Sequence, residues 1–439
     1  MIMNPHTTRR RFPNNTKVVA RFKFIDMKYD NIIIGGGLSG LVCGIESARS
    51  GRKTAIVSAG QSALHFWSGS FEFLCNEDSR IVIDHPLERA ERLDESHPYR
   101  KIGVSNVSKL LDRVLPLLRE AGIKVNGSLE RNHYRLTPFG YSRPAWLTLD
   151  EYLSFQSPSE LKGKRAAIVN IYSYLDFYPR FLALGLSKLD VECVTASVNV
   201  PQLDILRKST TEMRATNMSR FLTDSAVDDL AREVNRVSSD CDMVIMPAVL
   251  GIFDDEPVNR LRRGVDRPVF FVATTPASVP GVRCQLSLRD YFTSLGGTYM
   301  PGDTVVGGEI SDGRIRKIYT SNFGSIPLIA ENYVICTGSF FGHGLIANMD
   351  KIYEPVFGLD LNAPDDRTEW YDKNFYASQP YMGYGVVTDE KFRPMKEGKV
   401  IENLYATGAL LSGFNALKEG SGAGITLATA LHAASCITR

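Results

Sequence analysis

Met27-Lys28-Tyr29-Asp30-Asn31-Ile32-Ile33-Ile34-Gly35-Gly36-Gly37-Leu38-Ser39-Gly40 is the stretch on which the fold turns. Residues 28–34 read as a short apolar strand, and the glycines follow it at once. A helical stretch then runs from about Leu38 to Ser50 and ends at Gly51, and Thr54–Val57 reads as a second strand. Strand, glycine turn, helix and strand make one βαβ unit within the ~30 residues such a unit needs. Gly35 permits the tight turn and Gly36 extends it. Gly37 lets the backbone approach a phosphate, Gly40 lets the helix pack close to the strand, and Gly44 continues that small face. The helix start offers unpaired N–H groups and a positive dipole end to an anion. Bare turn chemistry explains these glycines poorly, because they weaken a helix start without structural gain.

The acid expected at the end of the second strand, where a carboxylate holds a ribose, is replaced by Ser58. A hydroxyl cannot chelate two ribose hydroxyls, so either the cofactor is a mononucleotide or another residue does this work. The loop leaving Ser58, Gly60-Gln61-Ser62-Ala63-Leu64-His65-Phe66-Trp67-Ser68-Gly69-Ser70, has neither helical nor strand period. It leaves the carboxyl end of a strand, where α/β sheets bind ligands. Gly60, Ser62, Ser68, Gly69 and Ser70 are therefore candidates to touch a flavin ring or a phosphate, and His65 to move a proton near neutral pH.

Two later passages repeat the theme. Asn332-Tyr333-Val334-Ile335-Cys336-Thr337-Gly338 is a buried strand ending in Thr337-Gly338, fed by a hairpin over 304–321 that turns at Asp312-Gly313. Asn403–Thr407 leads to Gly408 and Gly413, and Glu419-Gly420-Ser421-Gly422-Ala423-Gly424 opens an apolar helix to about Ile437. Gly408, Gly413, Gly422 and Gly424 aim backbone amides at an anion or an electron-rich ring edge. His432, deep in that helix, reads as a core histidine. Arg393, after the alternating run 385–392, is a candidate to meet an anionic substrate.

The composition sets the frame: 439 residues, 44% hydrophobic and 23% charged, with no apolar run of membrane-spanning length. Residues 1–26 carry Arg9, Arg10, Arg11, Lys17, Arg21 and Lys23 against Asp26, a head of net +5 on a body of net −3 within a total of +2. Such a body argues against nucleic acid as a partner. The head has no apolar core of a secretory signal and is expected to be a disordered tail or a start-site artefact. The seven cysteines form no C-x-x-C pair, which excludes a zinc ribbon or ferredoxin-type cluster by spacing, predicts no metal site, and fits a reducing cytoplasm.

The expected architecture is α/β: a discontinuous Rossmann-like nucleotide-binding domain over 27–75 and about 241–439, with an inserted α+β cap over about 76–240. An amphipathic helix is expected at 107–115, capped by Ser105 or Asn106 and kinked or ended by Pro116. Apolar strands at 166–169, 243–246 and 269–273 mark the return, and the nucleotide domain resumes between there and 300.

GGGLSGL at 35–41, GQSALHFWSGS at 60–70, CTGSFFGHGL at 336–345 and NLYATGALLSGFNALKEGSGAG at 403–424 resemble the B subunit of bacterial anaerobic glycerol-3-phosphate dehydrogenase. HPYR at 97–100, TPFG-YSRPAWL at 137–147 and GYGVVTDEKFRP at 383–394 extend the resemblance from Met27 to the C-terminus. It implies an FMN-linked subunit (FAD being the alternative) of a three-subunit flavoenzyme that oxidises glycerol 3-phosphate to dihydroxyacetone phosphate and passes electrons towards the quinone pool. It further implies two partners. One is an FAD-bearing catalytic subunit, and the other an iron–sulfur subunit that holds the complex at the cytoplasmic face of the inner membrane. Relatives with covalent flavin carry a histidine where this chain has Ala63, so no covalent link is expected. On this reading His65 is the candidate base, Arg393 meets substrate, and Arg283 and Arg143 are further candidates for phosphate or ring-anion contacts. The rival readings are an electron-transfer or scaffold flavoprotein subunit that does not bind glycerol 3-phosphate, and a nucleotide fold that has lost its cofactor.

Overall fold

The computed structural model describes residues 27–77, 81–209 and 211–438. The basic head 1–26 lies outside the described residues. In chain order the elements that build the site are β1 (Met27–Ile34), α1 (Leu38–Arg49), β2 (Thr54–Ser58), β3 (Arg165–Ile171), β4 (Glu192–Val198), β5 (Met243–Pro247), β6 (Val269–Val272), α2 (Val279–Ser294), β7 (Thr298–Pro301), β8 (Val305–Ser311), β9 (Arg314–Thr320), β10 (Leu328–Ile335), β11 (Leu404–Ala406) and α3 (Gly422–Ile437).

The main sheet has seven strands in the order β7-β2-β1-β10-β9-β8, with β11 also paired to β10. β1, β2, β7, β10 and β11 are parallel. Their isoleucine and valine runs suit strands covered on both faces: Ile32, Ile33, Ile56 and Val334 are fully buried. The hairpin read from Asp312-Gly313 is β8–β9, and it delivers the chain antiparallel to the start of β10. α1 packs against α2 and α3 on the sheet. A buried polar clasp ties the first βαβ unit: Asn31 Nδ2 donates to Ser47 Oγ at 2.8 Å, which shares a 2.7 Å bond with Thr54 Oγ1.

The insertion contains a second parallel sheet, in the order β4-β3-β5-β6. Ala166–Ile168 pair with Met243–Ile245, and Val244–Pro247 with Val269–Val272. β5 therefore belongs to the inserted unit, although the sequence places the return of the nucleotide domain at about 241. The return comes later, through α2 against α1 and then β7 beside β2. Short antiparallel ribbons complete the insertion, including His133–Leu136 paired with Ser142–Ala145. Two helices replace the expected one at 107–115: Val104–Leu111, with Gly103 as its N-cap, and Val114–Glu120. Pro116 falls in the first turn of the second helix, where its missing N–H removes no bond of that helix, and the interruption expected of it lies at Asp112–Arg113, where its ring disfavours a continuous helix. Among the described residues no helix is long and apolar enough to cross a membrane.

Candidate flavin site at the strand carboxyl ends

Register places four strand ends side by side: Ile34 opposite Val57 and Ile335, and Ile335 opposite Ala406. The segments that follow, Gly35–Gly37, Ser58–Gly60, Cys336–Gly338 and Thr407–Gly408, therefore share one rim. α1 begins there with Gly37 as its N-cap, no side-chain cap and no acid in its first turn, so its amides stay available to an anion.

The glycines separate by what crowds them. A Cβ on Gly37 would meet nothing nearer than Ser62 Cβ at 3.5 Å. On Gly40 it would lie 1.9 Å from the Gly35 carbonyl oxygen, and on Gly36 it would lie 2.3 Å from Ser58 Oγ and 2.4 Å from Tyr299 OH. Gly35 has φ +121°, a conformation L side chains rarely adopt. Gly37 thus has room for a methyl group in van der Waals contact with Ser62, while Gly36 and Gly40 are small because neighbours press on them.

Several residues expected to touch cofactor are occupied within the protein. Ser58 is 3% exposed, and its hydroxyl donates to the Gly60 carbonyl at 3.3 Å. Gly69 lies against the Tyr152 ring, Gly413 against the Ser96 carbonyl, and Gly424 against Tyr99 and Phe73. The Gly408 amide donates to Thr429 Oγ1 at 2.9 Å. Ser68 Oγ and Ser70 Oγ accept from Arg135, at 2.7 and 2.5 Å. Gly60 has no neighbour within 4 Å of a Cβ and Gly338 meets its nearest at 3.7 Å, so these two leave room on the rim, whereas a Cβ on Gly422 would press on Ala416 at 3.3 Å. Thr337 Oγ1 is buried on the rim without a partner among the described residues, which suits a ligand hydroxyl or phosphate.

His65 sits in the single turn Ala63–Phe66, which Ser62 caps by accepting from the Leu64 amide at 3.2 Å. Its carbonyl accepts from Ser278 N at 2.7 Å, which fixes the loop against the start of α2. Burial lowers the His65 pKa below the ordinary histidine value, against a hydrogen bond with Gln285 that raises it. The ring is therefore neutral at neutral pH and able to accept a proton. Gln285 on α2 is a residue the sequence did not single out. Its Oε1 accepts from Ser62 Oγ at 2.9 Å and its Nε2 donates to the Gly36 carbonyl at 3.4 Å, so one amide joins the glycine turn to Ser62, the cap of the turn that carries His65. The only sequence signal for it is a polar residue on the buried face of an apolar helix.

The arginines are redistributed. Arg393 closes its own turn: Nε donates to Asp389 Oδ2 at 2.8 Å, and the Asp389 amide donates to the Arg393 carbonyl at 3.0 Å. That ion pair braces the turn beside β11. Arg283 is buried and bidentate to Glu151 at 2.6 and 2.7 Å, and it also donates to the Leu250 and Gly251 carbonyls. It joins α2 to the insertion and has no donor pair left for a phosphate. Arg143, half-buried, keeps an unpartnered Nε. His432 packs edge-on against Phe392, as a core histidine would.

The rim fits a flavin: open amides at Gly37, accessible backbone at Gly60 and Gly338, an orphan hydroxyl at Thr337 and a neutral imidazole at His65. Comparison with known proteins agrees. The FAD binding domain family matches residues 30–425. The B subunit of anaerobic glycerol-3-phosphate dehydrogenase from Yersinia pseudotuberculosis is 40% identical over 416 residues, covering 94% of this chain and 98% of the relative. Its counterpart from Pectobacterium carotovorum is 38% identical, covering 94% and 99%. Among solved structures, 3-ketosteroid delta1-dehydrogenase from Sterolibacterium denitrificans is similar at a TM-score of 0.45 and 11% identity, covering 94% of this chain and 99% of that one. By motif, by sheet topology and by these relatives, the chain belongs to the FAD-binding oxidoreductase fold and, within it, to the B-subunit family of anaerobic glycerol-3-phosphate dehydrogenases.

Proposed function

We propose that this chain is the flavin-carrying subunit of a complex that oxidises glycerol 3-phosphate to dihydroxyacetone phosphate. The observation that carries the reading is a half-buried His65 in a turn whose Ser62 is bonded to Gln285, which in turn reaches the same glycine turn that presents the free amides of α1. Gly37, Ser62 and Thr337 would hold the flavin, which supplies a two-electron acceptor when bound. Its form on this reading is FMN: the place of a ribose-binding acid is taken by Ser58, whose hydroxyl is turned to Gly60. Loss of two electrons from a secondary alcohol also releases the hydroxyl proton. His65 receives that proton on a ring nitrogen. Ser62 and Gln285 fix the turn that carries the imidazole. Electrons then pass to an FAD-bearing partner and an iron–sulfur partner, which holds the complex peripherally at the cytoplasmic face of the inner membrane on the way to quinone.

An anaerobic absorption spectrum of the purified chain, before and after glycerol 3-phosphate, tests the reading. Bleaching of a flavin band is the expected result. A band that persists makes the chain an electron relay, and a colourless preparation from cells supplied with riboflavin removes the cofactor assignment. Release of the cofactor by acid, followed by mass measurement, distinguishes FMN from FAD.

A further inference from the structure

Arg135 and Arg143 stand directly opposite each other on the antiparallel ribbon His133–Leu136/Ser142–Ala145, so both guanidinium groups leave one face of it. Like charges in that position repel and need a counter-charge. Arg135 has one: it is 2% exposed, lies 3.5 Å from Glu72, and donates to Ser68 Oγ and Ser70 Oγ. Ser70 Oγ in turn donates to Glu72 Oε1 at 2.7 Å. Arg143 forms no ion pair among the described residues, and its Nε is buried without a partner. Beside Arg135, Tyr152 is 2% exposed with an unpartnered hydroxyl among the described residues, and its ring lies against Gly69. Two arginines and one glutamate leave one positive charge, and the Arg143 Nε is an orphan donor beside it. A buried, unpaired donor set of that kind costs stability unless a ligand completes it.

The cluster is also well placed. Ser68 and Gly69 belong to the loop that carries His65. The Glu72 carbonyl accepts from the Gly424 amide at 2.8 Å, which sets the cluster against the first turn of α3. We propose that Arg143, backed by Arg135, is the anchor for the phosphate group of a small phosphorylated substrate, at the joint between the His65 loop and the insertion. A guanidinium fork matches phosphate oxygens, and Arg135 is held in place by the serines so that Arg143 is the free partner. The identity of the phosphate's carrier, glycerol 3-phosphate, rests on the function proposed above; the anion site itself does not.

The experiment uses the full chain loaded with flavin, as wild type, R143M and R143K. Calorimetric titration with inorganic phosphate and with glycerol 3-phosphate should show both binding to wild type, about 10–100-fold weaker binding to R143M, and partial recovery in R143K. Flavin content should be unchanged across the three. On wild type alone, an arginine-directed dicarbonyl reagent mapped by mass spectrometry should label Arg143, and phosphate should protect it; this measurement stands even if R143M folds poorly. Equal phosphate affinity in R143M, no phosphate binding to wild type, or labelling that phosphate does not suppress overturns the proposal. Loss of flavin from R143M also overturns it, because Arg143 would then serve the cofactor's phosphate. If phosphate and glycerol 3-phosphate both depend on Arg143 and yet the flavin never bleaches, the anion site stands and the dehydrogenase reading falls.

Discussion

Gly37 and Gly40 are three residues apart in one motif and answer to different constraints. The nearest atom to a Cβ on Gly37 is 3.5 Å away, and its φ of −83° admits any residue, so Gly37→Ala should leave the melting temperature nearly unchanged while lowering the flavin content of the purified chain. Gly40→Ala would drive a methyl group to within 1.9 Å of the Gly35 carbonyl, and the overpacking should cost on the order of 1–3 kcal/mol whether or not flavin is present. Paired melting curves and flavin spectra check both; equal loss of flavin with equal loss of stability would remove the distinction. His65→Ala should lower substrate-driven flavin reduction by about 100- to 10,000-fold without changing flavin content. In wild type the rate should fall on acidification only at a pH below the ordinary histidine value, because burial lowers the ring's pKa, and that limb should be absent from the variant. The glycines and His65 were legible in the sequence because each sits in a local pattern whose residue types are tied to backbone approach or proton transfer. Gln285 was not, since its partners Ser62 and Gly36 are 223 and 249 residues away. The pairing of Arg393 with Asp389, four residues back, was not legible either, because a short-range ion pair leaves no trace in composition.

At the scale of elements, the first βαβ unit, the β8–β9 hairpin and α3 could all be read from sequence, because periodicity and turn residues define them locally. The allocation of β5 and β6 could not. A strand buried on both faces is an apolar run, and an apolar run does not state which sheet it enters. What fixes the second sheet is lateral pairing with β3, together with the strut from Arg283 on α2 to Glu151 and to the Leu250 and Gly251 carbonyls just beyond β5. Removing one partner of such a buried pair leaves the other charge uncompensated. Arg283→Met should therefore destabilise the chain by about 3–5 kcal/mol, with Glu151 left buried and unpaired, while the double variant with Glu151→Gln regains part of the loss. Chemical denaturation of the single and double variants measures the coupling. A single variant within about 0.5 kcal/mol of wild type would show that the strut does not hold the sheets together.

For the whole molecule, stability and function meet where the insertion's ribbon grips the His65 loop. His133 lies beside Arg135 on that ribbon, 7% exposed, with Nε2 2.8 Å from Thr148 Oγ1. Burial first, and the Arg135 charge second, lower its pKa to about 4. An unfolded chain would titrate the same ring near ~6.5. Between those values the unfolded state binds more protons than the native state, so stability rises with pH and is lost as pH falls through the window. The full loss is on the order of 3 kcal/mol, nearly complete at about pH 4, with none of it above about pH 7. His133→Gln keeps a hydrogen-bonding group towards Thr148 and cannot be charged, so its denaturation midpoint should fall less steeply on acidification from about pH 6.5 to about pH 4 than that of wild type. The carboxylates titrate alike in both proteins, and the difference between the two curves isolates the histidine. Parallel curves would place the acid sensitivity elsewhere. A converging pair, with flavin released over the same pH range in wild type and later in the variant, would show that opening this joint is the step by which acid also empties the cofactor site.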